Sequence, residues 1–143
     1  MDEWITALEQ AFADYRQDLQ NYEKKRKPTD GLLGLGHSLQ NDPCHERLDE
    51  RVAQCVRQIC ALSPSPREAE QIVRLLLRPE DASWPLAAQW MLRAMERHAL
   101  PLIPFLSPDA ATQLQKEYAS RYKPWDRLPV QKQVLKALKE RKE

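Results

Sequence analysis

The sequence predicts an all-α protein of about six helices, folded as one domain over residues 1–143. Apolar residues recur at alternating spacings of three and four along most of the chain, which is the period of a helix with one buried face. No stretch alternates apolar and polar residues in the manner of a half-buried strand. Only 3 glycines stand against 11 prolines, whereas β-sandwiches and barrels need many glycine-bearing turns. We therefore expect helices separated by prolines.

The first helix has the clearest pattern and is expected from Asp2 to about Lys27. Pro28 ends it, because proline cannot donate a hydrogen bond to a continuing helix. Its apolar residues follow a 3-4-3-4-3 spacing, namely Ile5, Leu8, Phe12, Tyr15, Leu19 and Tyr22. A coiled coil has the same spacing, so self-association through this helix is one hypothesis.

The segment from Gly31 to His45 is predicted to be a long loop that leads into the second helix, and it contains all three glycines. Its glycines lack the Gly-Lys-Ser/Thr of a phosphate-binding loop, and no cofactor motif is present. The residues of this segment that could act in catalysis or bind a metal are His37, Cys44 and His45. A thiol at a helix N-terminus with a nearby histidine base can act as a nucleophile, and the same three side chains are metal donors. An enzyme with a thiol or metal site here is our third functional hypothesis.

The remaining helices are bounded by caps and prolines. The second is expected to begin at Asp42-Pro43 and the third at Ser65, with Glu68 completing a capping box. The fourth begins near Ser83 and is expected to end before Pro101 and Pro104. The fifth begins at Ser107-Pro108 and the sixth near Leu128. The second helix is expected to bury Leu48, Val52, Cys55, Val56, Ile59 and Leu62.

Three sequence matches indicate an internal duplication. The segment from Ser65 to Ile72 aligns with the segment from Ser107 to Leu114 at an offset of 42 residues. Trp84 and Trp125 are 41 apart, and residues 92–95 match residues 135–138 at 43. These matches predict two helix pairs, 65–99 and 107–141, behind an N-terminal helical cap. The unit resembles HEAT and armadillo repeats in its period only, and an ordinary irregular helical bundle is the alternative.

Charge is unevenly distributed along the chain. The formal net charge is +1, yet residues 101–143 hold nine basic and five acidic residues. Lys132, Lys136 and Lys139 follow the i, i+4, i+7 spacing and share one face of the sixth helix. A basic helical face can follow a phosphate backbone, so nucleic-acid binding is the second functional hypothesis.

Aromatic residues in the second half of the chain suggest the preferred function. Those left exposed would anchor a protein partner, because tryptophan and tyrosine are enriched in interface hot spots. A non-catalytic protein-interaction module with a rigid helical surface is therefore expected, its partner unknown. We also expect a cytoplasmic protein, since three cysteines form no paired framework and neither a secretory signal nor a membrane span is visible. The candidate contact residues are Trp84, Phe105, Tyr122 and Trp125.

Overall fold

The computed structural model describes residues 1–25, 43–77 and 93–142. Within these ranges the chain is helical and has no strand, which confirms the all-α prediction. The same ranges contain five α-helices and two 3-10 helices, which we label α and η. In chain order they are α1 (Asp2–Lys25), α2 (Pro43–Ala61), α3 (Pro66–Leu77), η1 (Met95–Phe105), α4 (Pro108–Arg121), η2 (Pro124–Asp126) and α5 (Pro129–Lys142).

The 3-10 helix η1 lies at the centre of the packing. It contacts α2, α3 and α5, while α1 packs on α2, and α4 packs on α5 and α3. The buried apolar side chains of these helices form one hydrophobic cluster. No described helix is long and apolar enough to cross a bilayer.

The apolar face of α1 is covered by α2 of the same chain. Ile5, Leu8, Phe12 and Tyr15 are buried, as the spacing predicts, and α2 is the helix packed against them. The side chains further along the face lie outside the described part. Packing within the chain therefore accounts for the spacing that suggested self-association. Burial of four large side chains contributes about 1.5 to 3 kcal/mol each before conformational entropy is subtracted.

The end of α2 differs from the prediction at one residue. Leu62 was expected to be buried, but 53% of it is exposed. The helix ends at Ala61, and Ser63 adopts a left-handed φ of 52°. Leu62 therefore lies at the very end of the helix, next to a residue that leaves the helical conformation. The other predicted residues of this face, from Leu48 to Ile59, are buried.

Two serines cap helix N-termini as their Ser-Pro motifs predict. The Glu68 amide donates to Ser65 Oγ at 3.2 Å, and the Ser65 amide donates to Glu68 Oε1 at 3.0 Å, which completes the capping box. The hydrogen bond from the Ser65 amide holds the pKa of Glu68 below its usual value. Ser107 Oγ accepts from the Ala110 amide at 3.2 Å at the start of α4.

The prediction that Pro101 and Pro104 break the chain is wrong. Both lie inside η1, where they are exposed. A 3-10 helix has three residues per turn, so the two prolines lie one above the other on a single face. In a 3-10 helix the N–H of residue i+3 donates to the carbonyl of residue i. Pro104 has no N–H, so it cannot donate this hydrogen bond to the Pro101 carbonyl. The Cys60 thiol donates to that carbonyl instead, at an S···O distance of 3.9 Å.

The two proposed repeats are only partly within the described residues. In the second unit, α4 and α5 pack against each other as expected of a helix pair. In the first unit, α3 packs on η1, but residues 78–92 lie outside the described part. The HEAT-like pairing therefore stays a prediction.

Candidate interaction surface

The connection between α4 and α5 places a tryptophan at the surface. We call residues 122–127 the Trp125 turn. Trp125 is 77% exposed and lies in η2, which Pro124 begins and a hydrogen bond of 2.9 Å from the Asp126 amide to the Lys123 carbonyl closes. Since proline fixes its own φ near −65°, Pro124 is preorganised for the first position of this turn. The indole is therefore presented on a short, hydrogen-bonded segment.

A lysine covers one face of the exposed ring. The Lys123 ammonium lies 5.4 Å from the centroid of the Trp125 ring. This distance is within the range of a cation–π interaction, in which the ammonium is attracted to the negative face of the indole. The opposite ring face and the edges remain available for contact.

Arg127 fixes the turn to the end of α4. Its Nε donates to the Tyr122 carbonyl at 3.3 Å, and its Nη2 donates to the Ala119 carbonyl at 3.2 Å. The last carbonyls of a helix have no partner within the helix, so the guanidinium satisfies two acceptors at once. Arg127 therefore holds the C-terminal end of the Trp125 turn, and Pro124 restrains the backbone just before Trp125.

The other predicted contact aromatics are less accessible. Tyr122 is half-buried. Its ring meets the Tyr118 ring edge-on, with 5.7 Å between the two centroids. The Arg93 guanidinium lies 5.5 Å from the centroid of the Tyr122 ring. Phe105 is also half-buried and packs against the core. Trp84 lies outside the described residues. Of the three candidates that the structure describes, Trp125 is therefore the one with a largely exposed aromatic ring.

The three predicted lysines lie on the outer face of α5. We call Lys132, Lys136 and Lys139 the lysine stripe; all three are exposed. The ion pairs formed among the described residues involve none of them. At 1.5 Å per residue the stripe is about 10 Å long. The opposite face of α5 is buried through Gln131, Val134 and Leu138.

The arginines of this region donate hydrogen bonds to carbonyls at helix ends, whereas the lysines of the stripe do not. Arg121 donates to the Leu77 carbonyl at the end of α3, and Arg141 donates to the Leu106 carbonyl at the end of η1. With Arg127, three guanidinium groups satisfy carbonyls at the C-terminal ends of three helices. The lysine ammonium groups are left to solvent.

A shallow hollow lies beside the stripe, between η1 and α5. Its volume is about 250 Å³. Apolar side chains form most of its lining, together with one carboxylate and one guanidinium. The lining residues are Leu100, Ile103, Pro104, Ala137, Glu140 and Arg141.

The hypothesis of a thiol or metal site falls outside the described part. His37 is not among the described residues, and neither are the side chains of Cys44 and His45, whose backbone opens α2. In the described ranges, no group of three His, Cys, Asp or Glu side chains could hold a metal ion. Cys55 and Cys60 are free thiols, and burial raises the pKa of both. Neither thiol therefore has the lowered pKa of an activated nucleophile.

Sequence reasoning did not identify Lys123, Arg127 or the hollow. The run Lys-Pro-Trp-Asp-Arg between two helices does carry a signal, because a proline-led turn too short to fold back keeps its tryptophan at the surface. The hollow depends on how η1 meets α5, which no local pattern reports. Comparison with protein-family models, with curated proteins and with solved structures gave no significant match. The geometry of the chain is therefore the basis for a functional proposal.

Proposed function

We propose that this chain is a non-catalytic protein-interaction module that binds a partner through the Trp125 turn. The observation that carries the proposal is a tryptophan that is 77% exposed on a turn fixed by Pro124 and Arg127. A tryptophan buries about 150 to 250 Å² when covered. At about 25 cal/mol per Å², covering the exposed part gives about 3 to 5 kcal/mol. This is the energy of an interface hot spot.

The fixed turn adds to this energy. Ordering a flexible loop on binding costs conformational entropy, and a turn that is already ordered avoids most of that cost. Arg127 satisfies the carbonyls of Ala119 and Tyr122 in the free protein. These hydrogen bonds need not change when a partner covers Trp125.

Nucleic-acid binding is the second candidate, and the lysine stripe favours it. One feature weighs against it. Non-specific binding of single strands uses several aromatic side chains on which successive bases stack, whereas Trp125 is the one strongly exposed aromatic side chain in the described ranges.

The same proposal places the module in the cytoplasm, because free thiols at Cys55 and Cys60 are stable in a reducing compartment. Rigid display of a surface by stacked helix pairs, as in HEAT-like arrays, is the corresponding architecture.

The test is a comparison of two exposed apolar residues. Among the described residues, the exposed large hydrophobic side chains are Trp125 and Leu62, so Leu62→Ala is the matched control for Trp125→Ala. Partners captured from source cells by the wild-type protein are identified by mass spectrometry, then purified, and their Kd is measured by calorimetry. We expect Trp125→Ala to weaken binding at least about 100-fold, which corresponds to about 3 kcal/mol. Leu62→Ala should change the Kd less than about twofold.

Two results would contradict the proposal. One is a Kd that Trp125→Ala leaves within a factor of about two for every purified partner. The other is tighter binding of single- or double-stranded oligonucleotides than of any captured protein at physiological salt, which would establish the second candidate.

A further inference from the structure

We infer that the partner presents an acidic amphipathic helix, which lies along α5 with its carboxylates on the lysine stripe and an apolar side chain in the hollow. This inference rests on the proposed function and names the chemistry of the partner. Its observations are separate from those on Trp125: the free lysines, the arginines engaged elsewhere, and the hollow between η1 and α5.

The charge of the surface selects an acidic partner. Lys132, Lys136 and Lys139 form no ion pair among the described residues. The arginines nearby are already hydrogen-bonded to helix-terminal carbonyls. Lys132, Lys136 and Lys139 are therefore three cations on one face of α5 that remain free for a ligand. Like-charged side chains at i, i+4 repel each other, so the stripe weakens α5 in isolation and carboxylates opposite it would relieve the repulsion.

The spacing of the stripe matches a helix better than an extended strand. Residues three and four apart on a helix lie about 5 to 6 Å from each other. A second helix with Asp or Glu at i, i+4 and i+7 repeats the same distances, so that each carboxylate meets one ammonium group. An extended segment, by contrast, places same-face side chains about 7 Å apart and loses register along the stripe.

The hollow supplies the apolar part of the contact. Ala137 and Glu140 line it and directly follow Lys136 and Lys139 in sequence, which is one step of about 100° around α5. The hollow therefore borders the stripe. At about 250 Å³ it has room for one large apolar side chain. A helix with a charged stripe and a neighbouring apolar position fits both features together, in the manner of helix-in-groove recognition.

The length of α5 sets the length of the partner segment. Pro129–Lys142 comprises 14 residues, or about 20 Å at 1.5 Å per residue. A partner helix of about four turns therefore matches the length of α5.

The experiment uses three fluorescent helical peptides of about 14 residues. The first peptide has Glu at i, i+4 and i+7, with leucines at the positions that directly follow these in sequence. The second peptide has Gln in place of each Glu. The third peptide has Ser in place of each Leu. Their Kd values for the full chain are measured by fluorescence anisotropy at about 50 mM and about 300 mM salt. We expect the first peptide to bind most tightly, the Gln peptide about tenfold more weakly at low salt, and the Ser peptide also more weakly.

Charge variants of the protein test the position of the site. The triple variant Lys132→Gln, Lys136→Gln, Lys139→Gln should bind the first peptide about tenfold more weakly at low salt and less than about threefold more weakly at high salt. The control triple variant Arg57→Gln, Arg67→Gln, Lys116→Gln removes the same charge from exposed positions on α2, α3 and α4. It should stay within about twofold of the wild type. Circular dichroism verifies that both variants are folded.

Four outcomes overturn the inference: equal binding of the Glu and Gln peptides, equal weakening by the two triple variants, tighter binding of an oligonucleotide than of the first peptide, or salt-dependent self-association that the lysine triple variant abolishes. The last identifies a second copy as the occupant. Failure of the proposed function is a separate result. If the lysine triple variant retains a captured partner that Trp125→Ala loses, the interaction module stands and the acidic helix does not.

Discussion

Removal of the phenolic hydroxyl of Tyr118 tests how α4 is held against η1. The hydroxyl donates a hydrogen bond to Glu96 Oε2. Glu96 lies in η1 with no exposed surface, and Tyr118 lies in α4 with 1% exposed. Burial raises the pKa of Tyr118 far above its usual value, with the neighbouring carboxyl of Glu96 adding to the effect. The phenol is therefore a permanent donor at physiological pH.

The expected cost of Tyr118→Phe follows from this burial. The substitution keeps the ring but leaves Glu96 without the donated hydrogen bond, where water cannot replace it. A buried polar group left without its hydrogen-bond partner costs about 1 to 3 kcal/mol, so we expect the free energy of unfolding to fall by about 2 kcal/mol. For a chain of this size the melting temperature should fall by about 6 to 8 °C.

The assay is urea unfolding followed by circular dichroism, with a double-mutant cycle as its control. If the hydrogen bond is the cause, Tyr118→Phe should cost about 1 kcal/mol less in a Glu96→Gln background than in the wild type. Because the pKa of Tyr118 is raised, wild-type stability should fall above about pH 10, where the unfolded tyrosine ionises, and Tyr118→Phe should reduce that slope. A cost below about 0.5 kcal/mol with no coupling would refute the reasoning.

Three further predictions concern other parts of the fold. Ser63→Gly should stabilise the protein by about 0.5 to 1 kcal/mol in the same urea assay, because Ser63 has a φ of 52° that glycine adopts without strain; a loss of stability would contradict this. The hydrogen bond from Arg74 at 2.7 Å holds the pKa of Glu117 below its usual value. This stabilisation is complete above about pH 4.5 and should be lost as the pH falls further, so Glu117→Gln should show a shallower loss of stability in acid. Burial raises the pKa of the Cys60 thiol, so in a Cys44→Ser background Cys60 should react with iodoacetamide at least about threefold more slowly than a free cysteine at pH 8; equal rates would show that the thiol is exposed.

Most of the helices could be predicted because their signals are local. The buried residues Ile5, Leu8, Phe12 and Tyr15 follow from a spacing that any amphipathic helix shows. Ser65 and Ser107 cap their helices through side chains that lie three residues from the amides they satisfy. Such features need no knowledge of the tertiary fold.

The features that the sequence did not predict depend on contacts between distant residues. Pro101 and Pro104 by themselves predict a break, since the sequence does not show that packing against three helices holds a 3-10 helix through them. Leu62 was placed on the buried face, since Ser63 gives no signal for a left-handed residue as glycine or asparagine would. Glu96 was not expected in the core, because its hydrogen-bond donor lies 22 residues further along the chain.

The candidate surface was predicted in part. The lysine stripe follows from helical spacing, and Trp125 was one of four aromatic candidates. Only the structure distinguishes Trp125, which is exposed, from Tyr122 and Phe105, which pack against the core.

The composition of η1 has a consequence for how the protein folds. Runs of 3-10 helix longer than three or four residues are uncommon, because their hydrogen-bond geometry is poor, and η1 extends over 11 residues with two prolines. Its backbone alone cannot keep it ordered, so the neighbouring helices must. The centre of the molecule is therefore ordered only together with the helices around it. A chain truncated before α5 should lose η1 as well, and folding should be all-or-none instead of proceeding helix by helix.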